Sequence, residues 1–494
     1  MRDHSVGAPP GAFRGLGCMP AVARTTVRAK SASSSTSVIR IERSMPATPP
    51  NPESGLRHQL TAGQMTMVAV GGSIGTGLLL GTASAISLAG PAVILTFILA
   101  AFISWTVTLA LGELASAHPA AGSFGVYADL YLNDWASFIS RAGYWLAISF
   151  SIGAEMVASA TYMQFWFPRS PALLWIALFS LFLLSTNLLT VHRYARFEFW
   201  FAMIKVAVIA AFIVLGAGLL LSGRGAPQYT AHGGFFPLGA TAPLLAITFA
   251  IYTFGGVEFV AVTSGESASA REVARATRLT SITLTAVYLG AIIILVGIMP
   301  WNRAGVFESP FVTVFRSVNF PGAAHFMNFV VLTAALSGAN AALYISSRML
   351  FSLARTGWAP RRLGDLNRSG APTYALITSS YAIIAALILE RYAPARAFEY
   401  ILRGAFLGMM LSWIVSLAAH IQFRRRMPPQ QATEIPSRSP LGKWGSIVGL
   451  VVVLACVAKT WFDSRVNLIS GVVMLIGLTA AYAGIKQSRS RGTQ

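Results

Sequence analysis

Past about residue 60 the chain alternates long apolar runs with short polar loops. Twelve runs stand out, at approximately 65–88, 91–111, 140–167, 171–191, 199–222, 242–264, 279–300, 322–347, 372–390, 398–422, 444–460 and 466–485. Each reaches the length, about 17 residues or more, that a helix needs to cross the hydrocarbon core of a bilayer. In lipid every backbone N–H and C=O must be paired within its own segment, so runs of this kind predict helices. The pattern therefore predicts an all-α membrane protein with twelve transmembrane helices. Pro91, Pro171, Pro243 and Pro372 stand at the starts of runs, where a helix loses nothing by lacking an N–H.

Two runs carry breaks. The first run is uncharged from Met65 to Leu88, yet Gly71-Gly72-Ser73-Ile74-Gly75-Thr76-Gly77 puts four glycines in seven residues at its centre. Glycine is a poor helix former, and a broken helix in lipid is tolerable only where protein or a polar cavity covers the freed backbone groups. A second break falls in the sixth run, at Phe254-Gly255-Gly256. The two broken runs are five apart. Because five is odd, a repeat of five helices re-enters the membrane upside down, which predicts a five-plus-five inverted repeat with a binding site at the midplane. No sequence identity between the halves is visible, so this symmetry rests on the breaks and their spacing.

Composition agrees with a membrane protein. Of the 494 residues, 55% are hydrophobic and 11% charged, against roughly 25% charged in soluble domains. A net charge of +20 is compatible with nucleic-acid binding, but its placement explains it better. With the N-terminus inside, 26 Lys and Arg fall in the tails and inner loops and nine in the outer loops, which puts both termini in the cytoplasm. Residues 1–60 lack an apolar period and read as a disordered cytoplasmic tail. Within it, residues 1–44 are either transit-peptide-like in composition or an upstream start artefact with Met45 as the true initiator. The predicted order is then a transporter core of helices 1–10 over 61–424, a cytoplasmic loop over 425–443, helices 11–12 over 444–486 and a cytoplasmic tail over 487–494. Two cysteines, Cys18 and Cys456, make no disulfide framework.

The breaks suggest a ligand. A severed helix offers N–H groups at one new end and carbonyls at the other; the first attract a carboxylate and the second an ammonium. Two such breaks suit a zwitterion, an α-amino acid. A phosphate or dinucleotide loop fails on context, since no strand–helix alternation surrounds the glycines and no Gly-Lys-Ser/Thr follows. Close helix packing would need two glycines where four occur. Three charges lie well inside the runs: Glu155, Lys205 and Glu258. Such residues are costly at membrane depth and are usually paired or functional. Lys205 either snorkels to the interface, titrates near neutral pH, or fills the place of a sodium ion. Glu258 orients the second break by hydrogen bonding or transfers a proton. Glu155 faces a cationic substrate side chain or pairs with Lys205. Tyr252 and Phe254 flank the second break as packing or as a gate. Glu113 and Glu266, at inner helix ends near basic loops, predict salt bridges on the cytoplasmic face, and Glu399 with Arg403 predicts an i, i+4 helix pair. The seven histidines lack metal-ligand spacing, and no Ser/His/Asp set, Walker motif or paired catalytic carboxylates appear. The chain reads as no enzyme and implies no metal, ATP or nucleic acid.

Several segments resemble amino acid permeases of the amino acid–polyamine–organocation (APC) superfamily, with the bacterial amino acid transporter family as the nearest branch. They are Leu60 through Gly90, Leu111-Gly112-Glu113-Leu114, Phe197 through Val206, Phe254-Gly255-Gly256-Val257-Glu258, Gly265-Glu266, Ser309-Pro310-Phe311, Leu336 through Asn340, and Ser347-Arg348-Met349-Leu350. Together they cover about residues 56–490 in order. The resemblance implies twelve helices in a LeuT-like five-plus-five inverted repeat with helices 1 and 6 broken. It also implies amino acid import across a bacterial inner membrane by proton symport and alternating access, with the proton as coupling ion and no cofactor. It places substrate binding on Ser73, Ile74, Gly75, Thr76 and Gly77 for the α-carboxylate, and on Tyr252, Thr253, Phe254 and Gly255 for the α-ammonium. Glu155 is the candidate for the substrate side chain, and Lys205 and Glu258 are the proton-coupling candidates. The chain departs from the family pattern at Ala195-Arg196, where Gly-Glu is usual. An amino acid/amine exchanger and a non-transporting amino acid sensor are the alternatives.

Overall fold

The computed structural model describes residues 58–492, except 121, 189–190, 223–227, 304–310, 313, 315–321, 393–396, 429–434 and 464. The predicted tail through residue 57, including Cys18, lies outside the described residues. The chain is anchored from Gln59 onward: the Gln59 and Leu60 amides both donate to the Glu266 carbonyl at 2.9 Å. The tail boundary placed at residue 60 is thus slightly late, because two amides paired to a distant carbonyl leave no local signal.

The described residues are helical apart from turns and one isolated bridge, Leu60 with Ser267. Helices cover every predicted apolar run. They are α1 (Ala62–Ser73), α2 (Thr82–Ala89), α3 (Val93–Ala117), α4 (Ser123–Tyr131), α5 (Asp134–Gln164), α6 (Ala172–Asn187), α7 (Val191–Leu221), α8 (Ala242–Leu245) and α9 (Ile247–Thr253). The remainder are α10 (Phe259–Thr263), α11 (Ala270–Ile298), α12 (Ala323–Arg355), α13 (Thr373–Ser379), α14 (Tyr381–Tyr392), α15 (Ala397–Arg426), α16 (Gly442–Asp463) and α17 (Arg465–Gly492). Nine helical stretches among the described residues are long and apolar enough to cross a membrane, with α6 a shorter apolar helix.

Helix starts follow local capping chemistry. Thr61 and Gln64 form a reciprocal capping box at α1, Asn133 caps α5 and Ser269 caps α11, each satisfying amides that the first turn leaves free. Several helices outrun their apolar runs. α12 continues to Arg355, α15 to Arg426 and α17 to Gly492. Basic residues there end the hydrophobic period but not the backbone ladder, so the helices extend past the apolar slab. The helix α4, between the second and third runs, is too short and mixed in polarity to show an apolar period.

Burial separates centre from rim. The membrane-length window of α12 is 83% buried and that of α5 72%, whereas α7 from Glu198 is 22% and α17 from Ile469 11%. α5 packs extensively on α12 and α15, with Trp413 and Tyr144 wholly enclosed. Leu215, Leu181, Val473 and Ile476 are exposed on outer faces, where lipid tails replace protein neighbours.

Candidate functional site

At the first break α1 stops at Ser73. Ile74 leaves the helix with φ −81° and ψ 77°, and the chain resumes through a wide π-type turn, Gly77–Gly81, into α2. The carbonyls freed at the end of α1 do not wait for solvent. Lys205, fully buried on α7, donates Nζ to the Gly71 carbonyl at 2.5 Å and to the Ile74 carbonyl at 2.9 Å. The snorkelling reading of Lys205 is thereby corrected: its ammonium turns inward, because the break supplies acceptors that no regular helix offers.

The opposite end of the break is held by a carboxylate. Thr76 donates its amide to Glu155 Oε1 at 3.1 Å and Oε2 at 3.3 Å, and its hydroxyl to Oε1 at 3.1 Å. The expected direct pair with Lys205 is corrected: the Glu155 oxygens instead serve the amide end of the resumed helix, as an anion at a helix N-terminus should, while its carboxylate still lines the cavity described below. Two glycines make this possible. A Cβ on Gly75 would collide with the Glu155 carboxylate, and one on Gly338 would stand 3.1 Å from Oε1.

The second break lies between α9 and α10. Gly256 there has φ +103°, a conformation that side chains rarely adopt, and a Cβ on it would lie 2.5 Å from Ser73 Oγ and 2.9 Å from Ser73 N. The breaks therefore touch. Thr253 adds a hydroxyl donor to the Gly77 carbonyl at 3.2 Å. Glu258 orients this turn: its carboxylate accepts from Tyr144 Oη of α5 at 2.6 Å, the Gly256 amide at 3.2 Å and Trp413 Nε1 of α15 at 3.3 Å.

A small cavity opens between the breaks. Ser73, Gly75, Gly77, Glu155, Tyr252 and Gly255 line it, facing α5, α12 and α15. The Ser73 hydroxyl, 4% exposed, has no hydrogen-bond partner. Other predicted site residues stand behind the wall. Ile74 is in the apolar core, and Phe254 packs edge-on against Tyr288 at 4.8 Å and beside Phe97 at 6.4 Å. Of the two flanking aromatics, then, Phe254 is packing and Tyr252 is cavity wall, its hydroxyl 3.4 Å from Ser151 Oγ.

The sequence reading missed a third intramembrane carboxylate in the site's surroundings. Glu198, fully buried on α7, accepts from Asn340 Nδ2 at 3.0 Å and from the Ser337 hydroxyl, and fills the space beside Gly71. Lys205 lies within electrostatic reach of both Glu198 and Glu155. The signal was present: Glu198 and Lys205 are seven apart, two turns along one helix face, but Glu198 stood one residue before the run's assigned start. Arg141, buried on α5 and paired with Asp129 at 3.0 Å, also escaped notice. The salt bridges expected at these helix ends are present, though enclosed rather than on the surface. Glu266 meets Arg348 at 2.7 Å. Glu113 meets Arg424 at 2.7 Å and His420 at 2.9 Å, and accepts the Ser439 amide at 3.0 Å. The Glu399–Arg403 pair falls on side chains outside the described residues.

Long apolar helices thus surround a polar-edged cavity between two broken helices. Residues 64–485 match the amino acid permease family. The chain is similar to an uncharacterized amino acid permease, YtnA, of Bacillus subtilis (33% identity; 87% of this chain, 95% of the relative). It is also similar to the aromatic amino acid transport protein AroP of Escherichia coli K12 (35%; 82% and 90%) and the gamma-aminobutyric acid permease of B. subtilis (35%; 76% and 81%). The chain belongs to the amino acid permease family of the APC superfamily, and is a multi-pass membrane protein and not an enzyme.

Proposed function

We propose that this protein imports amino acids across a bacterial cytoplasmic membrane by proton symport and alternating access. Its twelve helical runs form twelve crossings in a five-plus-five inverted repeat, with both termini in the cytoplasm. One observation carries this reading: two broken helices meet at a cavity, one break already holding an ammonium on its carbonyls and a carboxylate on its amides. That arrangement is the recognition chemistry of a zwitterion, presented at membrane depth.

In this mechanism the substrate α-carboxylate takes the Ser73 hydroxyl and the amides between Gly75 and Gly77. The α-ammonium takes carbonyls of the second break near Tyr252, Thr253 and Phe254. A second carboxylate arriving beside Glu155 repels it, so binding favours the protonated form of Glu155 or its withdrawal from Thr76. Lys205 is the other exchangeable group. Its ammonium sits on carbonyls that would otherwise attract a metal cation, so a sodium gradient is not required. Glu258 serves as the post that holds the second break. The names of the relatives, which carry aromatic amino acids and gamma-aminobutyric acid, support the amino acid class.

Uptake into proteoliposomes tests the reading. Amino acid accumulation should follow an inward proton gradient and ignore a sodium gradient. Flux indifferent to the proton gradient refutes the coupling, and strict dependence on internal substrate establishes exchange instead.

A further inference from the structure

With the substrate backbone at the breaks, its side chain has one direction left, toward α5, α12 and α15. The wall there is formed by Ala147, Ile148, Ser151, Ala342, Ala405 and Met409. Three of these six are alanines, and the hydroxyls of Ser151 and Tyr252 are directed at each other.

Every charged group near this wall is committed elsewhere. On α5, Glu155 is held by Thr76 and Arg141 by Asp129. On α7, Lys205 is held by the Gly71 and Ile74 carbonyls and Glu198 by Ser337 and Asn340. Beside the second break, Glu258 is enclosed by Tyr144, Gly256 and Trp413. On α12, Arg348 is paired with Glu266. The cavity-facing stretch of α15, Ala405 through Trp413, contains no charged residue. With Glu155 either held by Thr76 or neutralised by its proton when substrate binds, a charged substrate side chain would meet no counter-ion.

Met409 sets the far limit. Its Sδ would lie 2.7 Å from a Cβ on Gly255, so it bears directly on the second break. An unbranched thioether can re-pack around side chains of different shape.

We infer that the cavity selects neutral amino acids with apolar side chains and that Met409 sets the accepted size. This rests on the proposed transport reading and names its substrate class. Competition in proteoliposomes against a labelled neutral amino acid is the test. Lysine, arginine and glutamate should inhibit at least about 100-fold more weakly than leucine or phenylalanine, the discrimination expected when a charge is left unpaired at membrane depth. Charged competitors as effective as neutral ones overturn the inference. Met409→Ala should raise the preference for a tryptophan-sized over an alanine-sized side chain about tenfold, while Met409→Leu leaves it nearly unchanged; an unaltered ratio in Met409→Ala removes Met409 from the role. Ligand-induced thermal stabilisation of the full chain in detergent separates the two failures. If leucine stabilises and lysine does not, but neither is taken up, transport fails and the selectivity stands.

Discussion

At the first break a single residue, Thr76, supplies both the amide and the hydroxyl that hold Glu155. At the second, Glu258 collects its donors from three places: Tyr144 on α5, Trp413 on α15 and the Gly256 amide in the turn itself. Both arrangements place a carboxylate against freed backbone amides, but they differ in what must move to release it. Glu258 is stapled across the bundle, and losing it unsettles two long helices. Glu155 is bound only to the turn a ligand would occupy, so a competing anion can displace it without dismantling the fold. The first break is built to exchange partners and the second to stay put.

The largest expected effect is at the cation shared by this region. Lys205→Met should reduce uptake at least about 100-fold, because it strands the Gly71 and Ile74 carbonyls and leaves Glu155 and Glu198 without their buried counter-charge, a class of change that costs about 3–5 kcal/mol. Initial rates normalised to membrane-inserted protein measure this; near-normal rates would remove Lys205 from the mechanism. Next comes the pair that tests the comparison directly. Glu258→Gln should lower the thermal stability of the detergent-solubilised protein by about 2–3 kcal/mol, since up to three donors lose an ionised acceptor. Glu155→Gln should leave stability nearly intact yet flatten the dependence of uptake on the proton gradient. Equal destabilisation by the two variants would erase the distinction between a fixed and an exchangeable break.

A backbone test is smaller. Gly256→Ala should cost about 1–3 kcal/mol, because φ is positive there and the new methyl meets Ser73, whereas Gly77→Ala, facing the Thr253 backbone at 3.2 Å, should cost less. Similar losses would mean that contact, not backbone conformation, governs both. The smallest effect lies away from the breaks and guards against misreading acid sensitivity. His118, just beyond the C-terminal end of α3, shares a hydrogen bond with Tyr131 Oη at 2.7 Å, and burial holds its pKa below 6.5. Its folded form resists protonation, so stability is full at neutral pH and declines as pH falls below about 6.5. His118→Asn should flatten that decline in a melting series from about pH 7.5 to pH 5.5 without altering the gradient dependence assigned to Glu155.

How far the primary structure reached can be judged from particular residues. The glycine clusters at Gly71–Gly77 and Gly255–Gly256 announced both breaks, because several weak helix formers fall close together, although Gly71 and Gly72 themselves stay helical in α1. The apolar runs located the helices, since lipid allows a long apolar segment little besides a helix. Where helices outran those runs, as at Arg355 and Arg426, hydrophobicity ended before hydrogen bonding did. Glu198 was lost to the same cause, a boundary set by polarity one residue too late.

Partnership was beyond the one-dimensional pattern. Glu155 and Thr76 are separated by 79 positions, and Lys205 and Gly71 by 134, so no periodicity could assign the carboxylate to an amide or the ammonium to a carbonyl. The hydrogen-bond partners of Glu155 and Lys205 emerged only when α5 and α7 packed against the same severed helix. Chain composition determined that helices would cross the apolar slab and where two would fail; the packing of distant helices decided which charge each failure would hold, because electrostatic partners are chosen by distance in space and not along the chain.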